Sequence, residues 1–304
     1  MSKIFEALQK TEGEMAKLAL PAVAGATNPD LDAQPPSGAT SQVAEALFTS
    51  DQPPEEVADP EASSFRADEL RTLPVRIRAD APILPFQPGN SREGEQYRIA
   101  RTKILQHPDR PRLMVVSSVG SGDGKTVSAI NLAGALALKS DTQVMLVDAD
   151  LRRSNVAALL GLPELPGLAE YLSGQASLDD IIIRVEQFPN LCVVPAGRAS
   201  ANPAELLDSP QWATTCSEFR QRSTFVIFDA PPMDAVTDYD LIAAQCDGLV
   251  MVVRPDRTNR KLCLTALANV PKEKLIGVLL NCVSDWWLWK AKSYYSESAV
   301  PTGR

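Results

Sequence analysis

The stretch from Arg112 to Leu136 narrows the possible folds more than any other part of this chain. Arg112-Leu-Met-Val-Val-Ser117 is a short apolar run rich in β-formers, as expected of a buried strand. It runs straight into Ser117-Ser118-Val119-Gly120-Ser121-Gly122-Asp123-Gly124-Lys125-Thr126. A helix is expected to begin at once, with Ile130, Leu132, Ala133 and Leu136 on its inner side. Glycines let backbone N–H groups turn inward around phosphate oxygens, and the positive end of the helix dipole adds to the attraction. In such a loop the lysine, Lys125, reaches the β- and γ-phosphates, and the hydroxyl of Thr126 ligates Mg²⁺. Gly120, Gly122, Asp123, Gly124, Lys125, Thr126 and Val127 are therefore the expected nucleotide-binding residues. The loop is a variant: the pattern G-x-x-x-x-G-K-[ST] asks for glycine at 119, where Val119 stands, with Gly120 one place later.

Further apolar runs follow at Gln143–Val147, Leu191–Val194, Thr224–Phe228, Leu249–Val253 and Leu275–Leu280. Helical patterns separate most of them, at 125–139, 154–160, 203–220, 237–246 and 258–269, and a charged helical stretch, Glu93–Leu105, precedes the first. Near-continuous apolar strands alternating with helices predict an α/β fold, a mostly parallel sheet covered by helices on both faces.

Two of these strands end in acids. Val144-Met-Leu-Val147 leads into Asp148-Ala149-Asp150-Leu151-Arg152, and Phe225-Val-Ile-Phe228 into Asp229-Ala230-Pro231-Pro232. An acid just past the last apolar residue emerges at the carboxyl edge of the sheet, where open α/β sheets bind ligands. A phosphate loop that works on nucleotides needs carboxylates there to hold Mg²⁺ and its waters. With two carboxylates near one metal, one polarises the metal's shell and the other accepts a proton.

The rest of the composition bounds the setting. The chain has 304 residues and a net charge of −8, which disfavours a dedicated nucleic-acid binder. The single histidine, His107, excludes multi-histidine metal sites. The five cysteines have no paired or zinc-type spacing and read as small buried residues of a reducing cytoplasm. No run approaches the ~20 apolar residues of a membrane span, so any membrane contact is expected to be peripheral or through a partner. Residues 20–65 hold Asp30, Asp32, Glu45, Asp51, Glu55, Glu56, Asp59 and Glu61 with no lysine or arginine, and prolines crowd 20–90. Such a composition buries too little to offset the entropy of ordering. The expected organisation is an amphipathic helix within 1–19 (Ile4, Leu8, Met15 and Leu18 at near-helical spacing), a disordered acidic linker over 20–88, a phosphate-loop domain over 89–284 and a tail over 285–304. The tail opens with Trp286, Trp287 and Trp289 among lysines, read as a docking surface.

The loop, the D-x-D-x-R run at 148–152 and the D-x-P-P run at 229–232 resemble the bacterial tyrosine kinases, a family whose P-loop NTPase fold is related to the MinD/ParA ATPases. Pro195-Ala-Gly197 with Asn202-Pro-Ala-Glu-Leu-Leu207, Glu95-x-x-Arg98-x-x-Arg101 and Gly277-Val-Leu-Leu-Asn281 resemble further segments of that family. Met1-Ser-Lys-Ile-Phe-Glu-Ala-Leu resembles a lead-in of its exopolysaccharide-associated members. The resemblance implies an ATP-dependent protein-tyrosine autokinase that regulates polysaccharide biosynthesis or export. It would work with Mg²⁺, as a ring-forming homo-oligomer beside a membrane polysaccharide co-polymerase, in the cytoplasm at the inner membrane. It implies catalytic roles for Lys125, Asp148, Asp150 and Asp229. Thr126, Asp150 and Asp229 fall in the metal shell, Asp148 is the candidate base, and the split between Asp148 and Asp150 stays open. Asn281 would contact adenine, and Glu95, Arg98 and Arg101 would serve oligomerisation. The family's C-terminal tyrosine cluster is reduced here to Tyr294 and Tyr295, the expected phosphate acceptors. The MinD/ParA signature lysine would fall at Gly120, and its absence argues against that branch. The alternatives are a MinD/ParA-like ATPase switch without tyrosine transfer and a nucleotide-binding scaffold.

Overall fold

The strands expected from apolar runs assemble into one eight-stranded sheet. The computed structural model describes residues 70–77, 81–83, 92–198, 202–233 and 237–283. The expected helix of 1–19, the linker up to residue 69 and the tail with its tryptophans and tyrosines lie outside the described residues. In chain order the elements are β1 (Arg71–Leu73), α1 (Arg92–Leu105), β2 (Leu113–Ser118), α2 (Lys125–Ala137), β3 (Val144–Asp148), α3 (Val156–Leu160), α4 (Leu168–Leu172), α5 (Leu178–Ile181), β4 (Ile183–Val185), β5 (Phe188–Val194), α6 (Pro203–Leu207), α7 (Pro210–Arg222), β6 (Phe225–Asp229), α8 (Asp238–Ala244), β7 (Gly248–Val253), α9 (Arg260–Asn269) and β8 (Leu275–Leu280).

The sheet order is β1-β4-β5-β3-β6-β2-β7-β8. From β5 to β8 the strands are all parallel, so their carboxyl ends share one edge. Strand β4 pairs antiparallel with β5, because only Glu186 and Gln187 join them and so short a link allows only a hairpin. Alternation along β2 sends Leu113 and Val115 into one core and Met114 and Val116 into the other. The first core centres on Trp212, Phe219 and Phe228, with the Trp212 and Phe228 rings edge to face at 5.5 Å. The second holds Ile130, Leu132 and Leu136 of α2 with Tyr97 and Ile104 of α1. Both faces are covered, as the near-continuous apolar strands require.

The structure departs from the sequence reading in four places. Segment 70–83, assigned by composition to the disordered linker, is in its described parts an ordered piece of the domain. Strand β1 pairs in parallel with β4, Ile83 is fully buried, and the side chain of Gln187 both accepts from Val75 N and donates to Val75 O at 3.0 Å. The partners that order it are far away in sequence, which is why local composition gave no sign of them. The single helix expected over 203–220 is two, α6 and α7, broken at Asp208-Ser209 because Pro210 cannot continue a helix and starts the next one at N1. The short elements α4, α5 and β4 had no counterpart in the pattern reading. Of the cysteines, Cys192, Cys216 and Cys246 are buried as expected, but Cys282 is exposed. Among the described residues no helix is long and apolar enough to cross a membrane.

Candidate active site

The carboxyl edge at β2, β3 and β6 carries the expected chemistry, and each piece is positioned by backbone constraints. Strand β2 ends at Ser118 and α2 begins at Lys125, so the intervening loop wraps the N-terminus of α2. Gly122 and Gly124 take φ of +88° and +91°, the left-handed region that disfavours side chains. At Gly124 space forbids one as well: a Cβ would lie 2.1 Å from Asn281 Nδ2. That amide donates to the Asp123 carbonyl at 2.8 Å, so the residue expected to meet adenine also clamps the loop from the end of β8. Gly120 has open space around its Cα. The D-A-P-P segment is tied to the same loop: Ser117 Oγ donates to Pro231 O at 2.7 Å and Met233 N to Ser118 O at 2.9 Å.

Lys125 stands between two acids. Its Nζ donates to Asp150 Oδ2 at 2.8 Å and lies 3.6 Å from Asp229 Oδ1. Burial alone would lower the Lys125 ammonium, but the charges of Asp229 and Asp150 outweigh it and leave it raised. Asp150 Oδ1 accepts from Arg153 N at 3.0 Å. Asp148 and Asp229 are register partners at the ends of β3 and β6, both without solvent exposure. Asp148 Oδ2 accepts from Asn155 N and Val156 N, at 3.1 and 3.0 Å, and so caps α3. Its Oδ1 and both oxygens of Asp229 are buried without a hydrogen-bond partner. Burial, then the charge of Asp229, pushes Asp148 up to about 8; burial, opposed by Lys125, pushes Asp229 up to about 6.

Orphaned buried carboxylate oxygens are costly unless a cation or proton meets them. Those of Asp229, beside the buried Thr126 at the start of α2, are hard-oxygen groups suited to Mg²⁺, and Asp148 Oδ1 is suited to a proton. Among the described residues no three ligating side chains gather tightly enough to hold a metal by themselves. Mg²⁺ takes one or two carboxylates and completes its shell with water and substrate phosphates.

The cleft thus unites Gly120, Gly122, Asp123, Gly124, Lys125, Thr126, Asp148, Asp150, Asp229 and Asn281. Val127, the next residue of α2, packs partly buried on the second core. Glu95, Arg98 and Arg101 lie elsewhere, on α1. Arg98 pairs with Glu95 at 2.8 Å, and Arg101 Nη1 donates to Ala135 O at 3.2 Å, holding α1 to α2. Tyr294 and Tyr295 lie outside the described residues. Sequence reasoning missed two neighbours of the site. Arg257, from the β7–α9 connection, lays its guanidinium 2.9 Å from where a Gly122 Cβ would stand. Asp238 forms a two-point ion pair with Arg152. Neither belongs to a motif, and only the fold brings them in.

The model of the CobQ/CobB/MinD/ParA nucleotide-binding domain matches residues 114–287. Over 194 residues the chain is 31% identical to the tyrosine-protein kinase CpsD of Streptococcus agalactiae, covering 63% of this chain and 84% of that protein. Over 208 residues it is 31% identical to the tyrosine-protein kinase YwqD of Bacillus subtilis, covering 67% and 87%. The solved kinase domain of the Escherichia coli tyrosine kinase ETK superposes with a TM-score of 0.60 at 26% identity, covering 69% of this chain and 88% of that one.

Proposed function

Because the chain belongs to the bacterial tyrosine-protein kinases, within the CobQ/CobB/MinD/ParA nucleotide-binding family, we propose that its cleft moves the γ-phosphoryl group of ATP onto tyrosines of its own C-terminal tail. The observation that carries this reading is Lys125 at the helix N-terminus, held between Asp150 and Asp229, with Asp148 Oδ1 free beside them. The loop amides and Lys125 bind the β- and γ-phosphates, and Lys125 exchanges Asp150 for phosphate oxygens as nucleotide enters. Thr126, Asp229 and the released Asp150 are the groups that would hold Mg²⁺. When bound, Mg²⁺ supplies charge neutralisation on the transferring phosphoryl group. Asp148 Oδ1 takes the proton of the tyrosine hydroxyl as the new O–P bond forms and the bond to the ADP oxygen breaks. Burial beside Asp229 raises the proton affinity of this carboxylate and brings it nearer that of a phenol.

The acceptor follows from the census of tyrosines. The chain has five. Tyr97 and Tyr239 are buried in the two cores, and the Tyr171 hydroxyl is held by Glu218 and Gln211 at 2.9 and 3.0 Å. Tyr294 and Tyr295 remain. Transfer in trans, within a ring whose contacts run through the Glu95–Arg101 face of α1, suits a tethered tail at an effective concentration of about millimolar. The resemblance in the first residues supports a role in polysaccharide assembly, beside a membrane co-polymerase.

The test is incubation with Mg-ATP, with phosphotyrosine mapped by mass spectrometry and phosphate release followed in parallel. Label on Tyr294 or Tyr295 is the expected result, lost in Tyr294→Phe/Tyr295→Phe. Steady phosphate release with no phosphotyrosine refutes the kinase reading in favour of an ATPase switch.

A further inference from the structure

Asp148 and Asp229 are the last residues of β3 and β6, register partners in the sheet, and each leads into a loop, the one after β3 carrying Asp150. These loops are joined at their base by the Ala149 N–Asp229 O hydrogen bond, 2.9 Å. They are joined a second time further out. Arg152, just past Asp150, places Nε 2.7 Å from Asp238 Oδ2 and Nη2 3.0 Å from Asp238 Oδ1. Asp238 opens α8, the element that follows Asp229, and its side chain is 1% exposed while that of Arg152 is 42% exposed. An acid in the first turn of a helix ordinarily serves that helix's own N–H groups. Here the carboxylate reaches across to the other acidic loop, and a two-point guanidinium fork fixes orientation as well as distance.

Of the acids, Asp150 lies between the two ties, while Asp148 and Asp229 border the inner one. Mg²⁺ tolerates little error in an octahedral shell at about 2.0–2.1 Å. We propose that Arg152 and Asp238 are positioning residues that hold the loop carrying Asp150 at the distance from Asp229 that a shared divalent cation requires. Neither side chain touches the cation or the nucleotide. The proposal rests on the reading of Asp150 and Asp229 as a cation site, but not on tyrosine as the acceptor.

The experiment compares the full-length protein with Arg152→Ala, Arg152→Lys and Asp238→Asn. Mg²⁺ is titrated by calorimetry into each protein already saturated with ADP, and ADP affinity is measured separately in EDTA. Loss of such outer partners typically weakens a metal site by about 10- to 100-fold. Arg152→Ala and Asp238→Asn are expected to weaken Mg²⁺ by that factor while metal-free ADP affinity stays within about twofold, since Lys125 and the loop amides are untouched. Arg152→Lys, which keeps the charge and loses the fork, is expected to fall between. Hydrogen exchange of the peptides containing Ala149 and Ala230, read without metal, is expected to speed up in Arg152→Ala. Arg152 is exposed enough that its variants fold even if Asp238→Asn does not. Mg²⁺ curves for both Arg152 variants that superimpose on the parent overturn the proposal, whatever happens to the melting temperature. A parent that binds Mg-ADP but labels no tyrosine refutes the kinase reading and leaves this test intact.

Discussion

Lys125, Asp148 and Asp229 form a charge system that is incomplete without nucleotide. Lys125→Met removes the fixed positive charge facing the phosphoryl group, and transfer is expected to fall by about 10²–10³, measured as initial rate of phosphotyrosine formation. Asp148 makes a separate prediction through its proton. Its folded pKa, about 8, lies above the ordinary carboxylate value of 3.8, so between those pH values the native state holds more protons than the unfolded one. Stability of the metal-free, nucleotide-free protein therefore falls as pH rises across that window. Asp148→Asn removes this contribution and leaves the smaller one of Asp229: the variant is expected to unfold at higher denaturant than the parent at pH 8, by an order of a few kcal/mol, and to converge with it near pH 4. Mg-nucleotide binding at pH 7 is expected to release protons, because a cation held by the neighbouring Asp229 and Asp150 lowers the proton affinity of Asp148. Calorimetry in buffers of different ionisation enthalpy reads that release. Legibility differed from residue to residue here. Lys125, Thr126 and the acids were found from local pattern, since loop chemistry demands those types at those spacings. Asp238 and Arg257 were invisible because their partners are set by the third dimension.

At the scale of elements, the three central strands that carry the site were readable because each is buried on both faces and so is apolar almost without interruption: LMVVSS of β2, VMLVD of β3 and FVIFD of β6 are buried at every position. Strand β1 is the opposite case. Its three residues are exposed or half-buried, and its order comes from β4, from the Gln187 side chain and from Arg76 N donating to Leu160 O at 2.9 Å. Gln187→Ala removes both bonds to Val75 and is expected to cost about 1–2 kcal/mol. Hydrogen exchange is expected to rise over 70–77 and not over β2. Equal acceleration in both segments would show that β1 opens only with the whole domain. The helix break at Pro210 belongs with the readable features, since proline at N1 after Ser209 is a local start signal.

At the scale of the whole molecule, the all-parallel block from β5 to β8 aligns the strand ends, and helices on both faces leave that edge open for ligand. The α1 helix lies on the second core, away from the acids, with Ile99 43% exposed beside the Glu95–Arg98 pair. Charge removal there separates assembly from folding. Glu95→Ala/Arg98→Ala deletes an exposed pair worth about 0.2–0.5 kcal/mol, so the melting temperature is expected to hold while sedimentation shifts toward monomer. An unchanged profile in a sample that is oligomeric beforehand excludes this face. Arg101→Ala is a different variant, because it also releases Ala135 O and loosens α1 from α2. The amino-acid sequence by itself determined the α/β class, the phosphate loop and the acids that face it, because hydrophobic period, glycine conformation and strand-end position are local properties. Only the tertiary structure decided that Asp148 spends one oxygen capping α3 while its other is orphaned, that Asn281 clamps Asp123, and that Arg152 reaches Asp238. Those contacts join segments whose separation in sequence carries no signal, and burial, a property of the packed whole, sets their energies.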